Sequence, residues 1–442
     1  MIRAAVAIGR RLTCLSPRLF TAVPSPMKIA ILGAGIVGVA TAYELACDGH
    51  EVTVVERHAS VAEGASFANA GVLAPGYVTP WAAPGMPGKV LRQLLTKHAS
   101  VRVSRPLSGG DIAWMRRWLR ACDADTYLAN RARLQRLAFY SRQRLNEVAG
   151  RMAYDFDRSN GYMVLLRGDQ EREMAQPGMA LLRELGVAFH EITGAEARQI
   201  EPALNPDTPL AAAIFLPEDG VGNCRQFAVI LRDAAQQMGV NFSFNTPVAR
   251  IDTAQPATIY VANDPTAHHF DALVVCTGVQ SPELLAPLGI RLPMRPVYGY
   301  SVSAHVPEPV FAPRSGVMDE RYKVAISRMG QRVRVAGSAE IGGTPDAINQ
   351  HALQTLYKVL SDWFPSAGRL SRGVQVWKGA RPMLPDGPPV IGPSGRPGVW
   401  LNLGHGSSGW ALACGSARVL ADQIAGRQPE IDTEGLGLDR LR

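Results

Sequence analysis

The stretch Lys28–Glu56, KIAILGAGIVGVATAYELACDGHEVTVVE, decides the fold. After its lysine, KIAIL is apolar and has the length of a buried parallel strand. It runs into Gly33-Ala34-Gly35-Ile36-Val37-Gly38, after which Val39, Ala42, Tyr43, Leu45 and Ala46 recur at helical spacing until Gly49. Glu51–Glu56 then reads as a second strand ending in an acid. Each part has a task in holding a dinucleotide. Gly33 permits the tight turn, Gly35 lets backbone approach a pyrophosphate, and Gly38 lets helix and strand pack closely. The helix start at Ile36 and Val37 turns N–H groups and the positive dipole end toward the phosphates. Glu56, with Arg57 beside it, stands where an acid accepts ribose hydroxyls, which disfavours the 2′-phosphate of NADP.

The motif alone leaves FAD and NAD open. Asp271–Gly278, DALVVCTG, is a buried strand running into a Thr277-Gly278 turn, preceded by the strand-like stretch Phe242–Ile251 with Val248. The pair resembles the second nucleotide contact of two-dinucleotide-type flavoproteins, in which the chain rejoins the same sheet after a long excursion. FAD is therefore the expected cofactor.

Further segments carry a family resemblance. Ser66-Phe67-Ala68-Asn69-Ala70-Gly71, Pro75-Gly76-Tyr77 and PWAAPG at 80–85 resemble the first active-site loop of bacterial D-amino acid dehydrogenases. So do WKGARPMLPDG at 377–387, PVIG at 389–392 and GHGSSGWALACGS at 404–416. The similarity runs from Met27 to about Ile424. It marks one branch of the FAD-dependent D-amino acid oxidase superfamily, which also holds glycine and sarcosine oxidases.

The resemblance implies hydride removal from the α-carbon of a D-amino acid to flavin N5. The imine then hydrolyses to a 2-oxo acid and ammonia, and electrons pass to a quinone chain. It places Arg381 on the substrate carboxylate, where a planar cation offers two parallel bonds. Ser66, Asn69, Ala70 and Gly71 would face the cofactor. Gly404, Gly406, Ser407 and Ser408 would bring backbone N–H groups to the flavin N1–C2 carbonyl edge. His405, in the same turn, is read as structural rather than as a base. Tyr77 and Tyr322 are candidates for closing the substrate pocket, as are Tyr298 and Tyr300. The family usually has Lys where Tyr298 stands and Thr-Leu at Ser407-Ser408, which leaves the substrate side chain open. D-alanine is the first expectation and D-proline the second. An oxygen-using oxidase of the D-amino acid, glycine or sarcosine type shares every motif, as does a D-proline or hydroxyproline dehydrogenase. A non-catalytic flavin-binding subunit has no use for Arg381.

Charge and composition narrow the partners. The chain has 442 residues, 47% hydrophobic, with a net charge of +8. The acid-free segment Met1–Pro26 carries +4 and residues 86–120 carry +7, which leaves the rest at −3. A mildly acidic body without a recognition motif argues against nucleic acid. Ile112, Trp114, Met115, Trp118 and Leu119 interleave with Arg116, Arg117 and Arg120. Two structures fit that pattern: a peripheral membrane-surface helix, or a core helix with a basic edge. No apolar run reaches the ~18–20 residues that cross a bilayer. Six dispersed cysteines without C-x-x-C spacing fit a reducing, cytoplasmic compartment and no zinc site. His268-His269 reads as a solvated loop, so no metal is expected. Met1–Pro26 reads as a tail or an upstream start, with a mitochondrial transit peptide the alternative.

The expected fold class is α/β, a two-lobed FAD-dependent oxidoreductase with a Rossmann-like FAD-binding lobe and a second lobe on an antiparallel sheet. The FAD lobe would be discontinuous, from residues 27–90, 218–290 and 375–442. Residues 91–217 and 291–374 would form the substrate lobe. Its sheet signals are GYMVLLR at 161–167, Arg295–Val302, Tyr322–Arg328 and Arg332–Ala336, with a turn at Met329-Gly330. Stretches 127–150 and 223–238 read as helices.

Overall fold

The computed structural model describes residues 25–93, 96–152, 154–253 and 257–441. The Met1–Pro26 segment therefore lies almost wholly outside the described residues. Lys28–Leu32 is the second of four central parallel strands, flanked by Glu51–Val55 and Ala272–Val275. Ala272–Val275 in turn pairs with Val399–Leu403. Asn241–Ser243 adds a parallel edge beyond Glu51–Val55, and Val390–Pro393 an antiparallel edge beyond Val399–Leu403. These strands are apolar on both faces because helices cover one side and a three-stranded sheet the other. That small sheet, Val248–Asp252, Ala257–Val261 and Ala267–Phe270, contains His268 and His269. The two histidines are thus on an edge strand and not in a loop; His269 Nδ1 lies 2.9 Å from Thr258 Oγ1.

The second lobe is a ten-stranded mixed sheet, mainly antiparallel. Its long strands are Arg295–His305, Arg332–Gly342, Ala212–Val221 and Gln375–Met383. Val302, Val333, Val335 and Ile326 face helix Gln350–Trp363 on one side, in a core closed by Trp363 and Phe364. The other face looks toward the nucleotide lobe.

Two segments sit elsewhere than the sequence division put them. Helix Ala124–Gly150 packs on helix Gly409–Ile424 and joins the nucleotide-lobe core through Leu134, Leu137, Leu145 and Val148. Arg144 on it meets Glu44 at 2.6 Å, and Glu44 also meets Arg418 at 2.9 Å. Strand Gln375–Met383, assigned to the FAD lobe, is instead the edge of the ten-stranded sheet beside Arg295–His305. Neither placement is visible in a linear chain, because a helix shows which face is apolar but not what covers it.

Helix Gly109–Arg120 starts with a Ser108/Asp111 capping box. Trp114 and Trp118 are buried against Ala82, Val297, Ile341 and Met383, so they do not project outward. The Trp114 indole donates to the Met383 carbonyl at 2.9 Å. Ile112, Leu119, Arg116, Arg117 and Arg120 remain on the outer face. The tryptophan face of the helix is therefore core, and its basic edge lies on the surface.

Candidate active site

A cavity of about 2190 Å³ opens between the parallel sheet and the inner face of the ten-stranded sheet. It exceeds the ~300–1,000 Å³ of an ordinary small-ligand pocket and has room for a dinucleotide with a substrate. Both glycine-rich turns, the loop at 66–85 and the segment 377–383 line it.

The nucleotide end is built as the motif demands. Gly33 has φ +101°, and a Cβ there would come within 2.8 Å of the Cys276 carbonyl oxygen. A Cβ on Gly38 would lie 1.9 Å from the Gly33 carbonyl. Gly38 therefore does not line the cavity; it permits the turn that does. Gly35, by contrast, has open space in front of it, with only Ser66 Oγ at 3.7 Å from the Cβ position. Ile36 and Val37 line the cavity, but the Ile36 N–H already donates to Ser66 Oγ at 3.1 Å. Ser66 thus acts on the helix start, and that N–H is not free as expected. Glu56 is buried and accepts from the Ala34 N–H at 2.6 Å and the His58 N–H at 2.9 Å. Two of roughly four acceptor sites on the carboxylate remain, facing the cavity. Arg57 is exposed at the rim, its Nε donating to His58 Nε2. Val248, Thr277 and Gly278 line the same end of the cavity, with Thr277 Oγ1 2.9 Å from Ser281 Oγ.

The loop at 69–71 is held from the second lobe. Arg334 Nη1 donates to the Asn69 carbonyl at 3.0 Å, and Ser327 Oγ to the Ala70 carbonyl at 3.2 Å. Asn69 Oδ1 accepts from the Gly71 N–H at 3.0 Å. Burial lowers the Arg334 pKa to about 10. Across the cavity, Gly404, Gly406, Ser407 and Ser408 form the turn before helix Gly409–Ile424. His405 in that turn is buried, with Nε2 3.0 Å from Ser416 Oγ. Burial pushes its pKa down to about 3, so the ring is neutral and braces the turn.

The cavity wall on the ten-stranded sheet centres on Arg381. Its Nη1 donates to the carbonyls of Ser338 at 2.9 Å and Tyr298 at 3.4 Å. Its guanidinium lies across Gly299, where a Cβ would be 2.3 Å away, so the glycine in YGY makes its space. No carboxylate among the described residues pairs with it, and burial alone lowers its pKa to about 10. An enclosed cation without an anion is costly, and such a group belongs to a ligand's site more often than to a scaffold. Lys378, in the same segment, is by contrast fully engaged, with Glu340 at 3.0 Å and the carbonyls of Thr344 and Ala347.

Tyr77 donates from its hydroxyl to Glu320 Oε2 at 2.8 Å and accepts from Lys323 Nζ at 3.0 Å. Burial, then the Glu320 charge, raise its pKa well above the tyrosine range. Tyr322 does not reach the cavity. Its ring packs beneath the sheet, 5.1 Å from the Arg167 guanidinium and beside Lys358 of helix Gln350–Trp363. Tyr322 and Lys323 both lie in the turn before strand Val324–Met329, where Lys323 adopts a left-handed φ of +52°; the lysine lines the cavity and the tyrosine packs away from it. In the sequence, Glu320 and Lys323 carry a single signal, a charged i,i+3 pair in a turn between strands.

Residues 28–423 match the DAO family, described as FAD dependent oxidoreductase. The chain belongs to that family. It is 42% identical over 417 residues to a D-amino acid dehydrogenase of Bradyrhizobium diazoefficiens, covering 94% of this chain and 99% of that one. A D-amino acid dehydrogenase of Rhizorhabdus wittichii is 41% identical, covering 94% and 100%. The fold resembles glycine oxidase from Geobacillus kaustophilus, with a TM-score of 0.70 and 22% identity over 93% of this chain and 98% of that one. It also resembles L-proline dehydrogenase from P. horikoshii, with a TM-score of 0.69 and 19% identity over 95% and 98%. As a member of the DAO family it takes FAD as cofactor. The residues fit that group: the open approach at Gly35, the spare acceptors of Glu56 and the left-handed glycine turns at Gly71, Gly278 and Gly404 all line one continuous space.

Proposed function

We propose that the protein oxidises D-amino acids to 2-oxo acids and ammonia through an imine that water hydrolyses. The reading rests on Arg381, an enclosed cation without an acidic partner among the described residues, which shares its cavity with the dinucleotide cradle. Two relatives over 40% identical carry the name D-amino acid dehydrogenase, which supports it. FAD, when bound, supplies the acceptor for the hydride that leaves the substrate α-carbon. Arg381 holds the α-carboxylate through charge-assisted bonds and orients the α-carbon. The turn at 404–408 presents backbone and a helix N-terminus to the cofactor edge where negative charge accumulates. Neutral His405 holds that turn and takes no proton in the working pH range. A substrate amine that enters neutral needs no general base from the protein.

Electrons then go to a quinone rather than to oxygen, at a protein that attaches peripherally to the cytoplasmic face of a membrane through residues 86–120. No helix among the described residues is long and apolar enough to cross a membrane. What supports attachment is the outer face of this region, where Leu91 is 70% exposed and Leu119 50%, among Arg92, Arg116, Arg117 and Arg120. The deciding experiment mixes the holoprotein anaerobically with D-alanine, D-proline, glycine and L-alanine, then admits air. Flavin bleaching by D-amino acids, slow recovery in air and fast recovery with a quinone are expected. Rapid recovery with peroxide moves the protein to the oxidases, and a flavin that no amino acid bleaches removes the function.

A further inference from the structure

Farther along the wall that carries Arg381, a polar cluster lines the cavity that carboxylate binding does not use. Tyr77, from the 3-10 turn Pro75–Tyr77, and Glu320 and Lys323, from the turn before strand Val324–Met329, meet there. Glu320 Oε2 accepts from the Tyr77 hydroxyl at 2.8 Å, Tyr77 accepts from Lys323 Nζ at 3.0 Å, and Lys323 also pairs with Glu320. The turn is fixed from beneath. Asp319 accepts from the Tyr322 N–H at 3.0 Å and from Arg167 and Trp363 at 2.7 and 2.6 Å. Lys323 sits at φ +52°, a left-handed conformation that costs a lysine energy and that glycine or asparagine would adopt more easily.

The hydrogen-bond inventory leaves this cluster incomplete. An ammonium has three donors, and Lys323 spends two on Tyr77 and Glu320. A carboxylate has roughly four acceptor sites, and Glu320 spends two. Both side chains are partly open, 40% and 21%, and both line the cavity. One spare donor and spare acceptor sites therefore stand side by side, where Glu320 pairs with Lys323 and Lys89 lies near both charges.

The cluster lies within reach of a substrate held by Arg381. The guanidinium rests on the Ser338 carbonyl, and a Cβ on adjoining Gly337 would come within 2.9 Å of the Lys323 carbonyl. The Lys323 side chain then runs away across the sheet toward Tyr77. Two to three strand spacings, ~10–14 Å, separate the two charged ends. That span suits an amino acid whose side chain itself carries a polar tip and is hydrogen-bonded at both ends.

We infer that Lys323 and Glu320, braced by Tyr77, form a side-chain subsite for a carboxamide, so that D-glutamine and D-asparagine are preferred substrates. The amide oxygen accepts from Lys323 and the amide N–H donates to Glu320. An aliphatic tip of the same shape leaves the spare donor and acceptor sites unused, and a carboxylate tip meets Glu320 at close range. This deepens the proposed function and rests on it.

The test compares kcat/KM of the holoenzyme, with an artificial electron acceptor, for D-asparagine against D-leucine and for D-glutamine against D-methionine and D-glutamate. Preference for each amide by ~10-fold or more is expected, since a site built to hydrogen-bond rejects analogues that cannot. In Lys323→Met the glutamine-to-methionine ratio falls to near one through KM rather than kcat, with flavin absorbance retained. If that variant loses FAD, the wild-type panel decides alone. D-leucine equal to D-asparagine, or D-glutamate favoured over D-glutamine, overturns the subsite while oxidation of D-amino acids stands. No turnover of any D-amino acid overturns the function and the subsite together.

Discussion

The two walls of the cavity are made differently. The heart of the nucleotide wall comes from one unbroken stretch, in which strand, turn, helix and acid follow within 29 residues, and most contacts that shape that stretch are local or between adjacent strands. The substrate wall takes Tyr77 from one loop, Glu320 and Lys323 from a turn more than 240 residues later, and Arg381 from an edge strand beyond that. Local geometry dictates residue types strongly and so leaves a motif. A wall assembled from distant strands dictates only that each side chain point inward. The difference teaches where a substitution breaks the molecule and where it changes only the chemistry.

The largest effect should come from the nucleotide wall. Gly38→Ala puts a methyl 1.9 Å from the Gly33 carbonyl, against backbone that cannot yield cheaply. A loss of at least ~1–3 kcal/mol of stability is expected, with FAD lost during gel filtration. A variant that keeps its flavin and its Tm would show that this wall is less tightly specified than its motif. Arg381→Leu should separate the walls cleanly. Losing the carboxylate's partner costs ~2–5 kcal/mol in kcat/KM, while FAD stays bound. The ligand-free Tm should hold or rise, because an enclosed, unpaired cation has been removed. A fall in Tm would make Arg381 part of the scaffold.

His405 gives a pH-dependent prediction of intermediate size. Its pKa is lowered from 6.5 to about 3 by burial, so between those values the unfolded chain binds a proton that the folded chain refuses. The contribution to stability is whole above pH 6.5 and declines as pH falls toward 3, at up to ~1.4 kcal/mol per unit. Denaturant titrations at pH 7, 6 and 5 should show a shallower decline in His405→Gln than in the wild type. Equal slopes would mean the ring is not buried neutral. The smallest effect belongs to Tyr322→Phe. Its ring faces helix Gln350–Trp363, away from the cavity, so kcat/KM should move by less than ~0.5 kcal/mol. A tenfold loss would return Tyr322 to the substrate wall.

Much of the cradle was legible because glycines at 33, 35 and 38, the acid at 56 and the Thr277-Gly278 turn each answer a backbone requirement. Ser66 shows the limit. Its place in the loop was readable, but not that its hydroxyl takes the Ile36 N–H. Trp114 and Trp118 show another: their spacing marks an apolar helix face, yet their burial depends on Val297 and Met383 arriving from the ten-stranded sheet. Arg381 was readable through its motif, and Gly299 marked its resting place without revealing that the two meet.

By itself the sequence determined the α/β fold and the glycine pattern of the turn at 33–38, because each rests on short-range constraints that repeat wherever the chemistry does. Only the tertiary structure decided which tyrosine faces the cavity, what Helix 124–150 covers, and that Lys323 and Glu320 meet Tyr77 across it. Those outcomes follow from which strands pair and from the alternation of side chains across a sheet. A shift of one residue exchanges the inner and outer faces, and no local pattern records which was chosen.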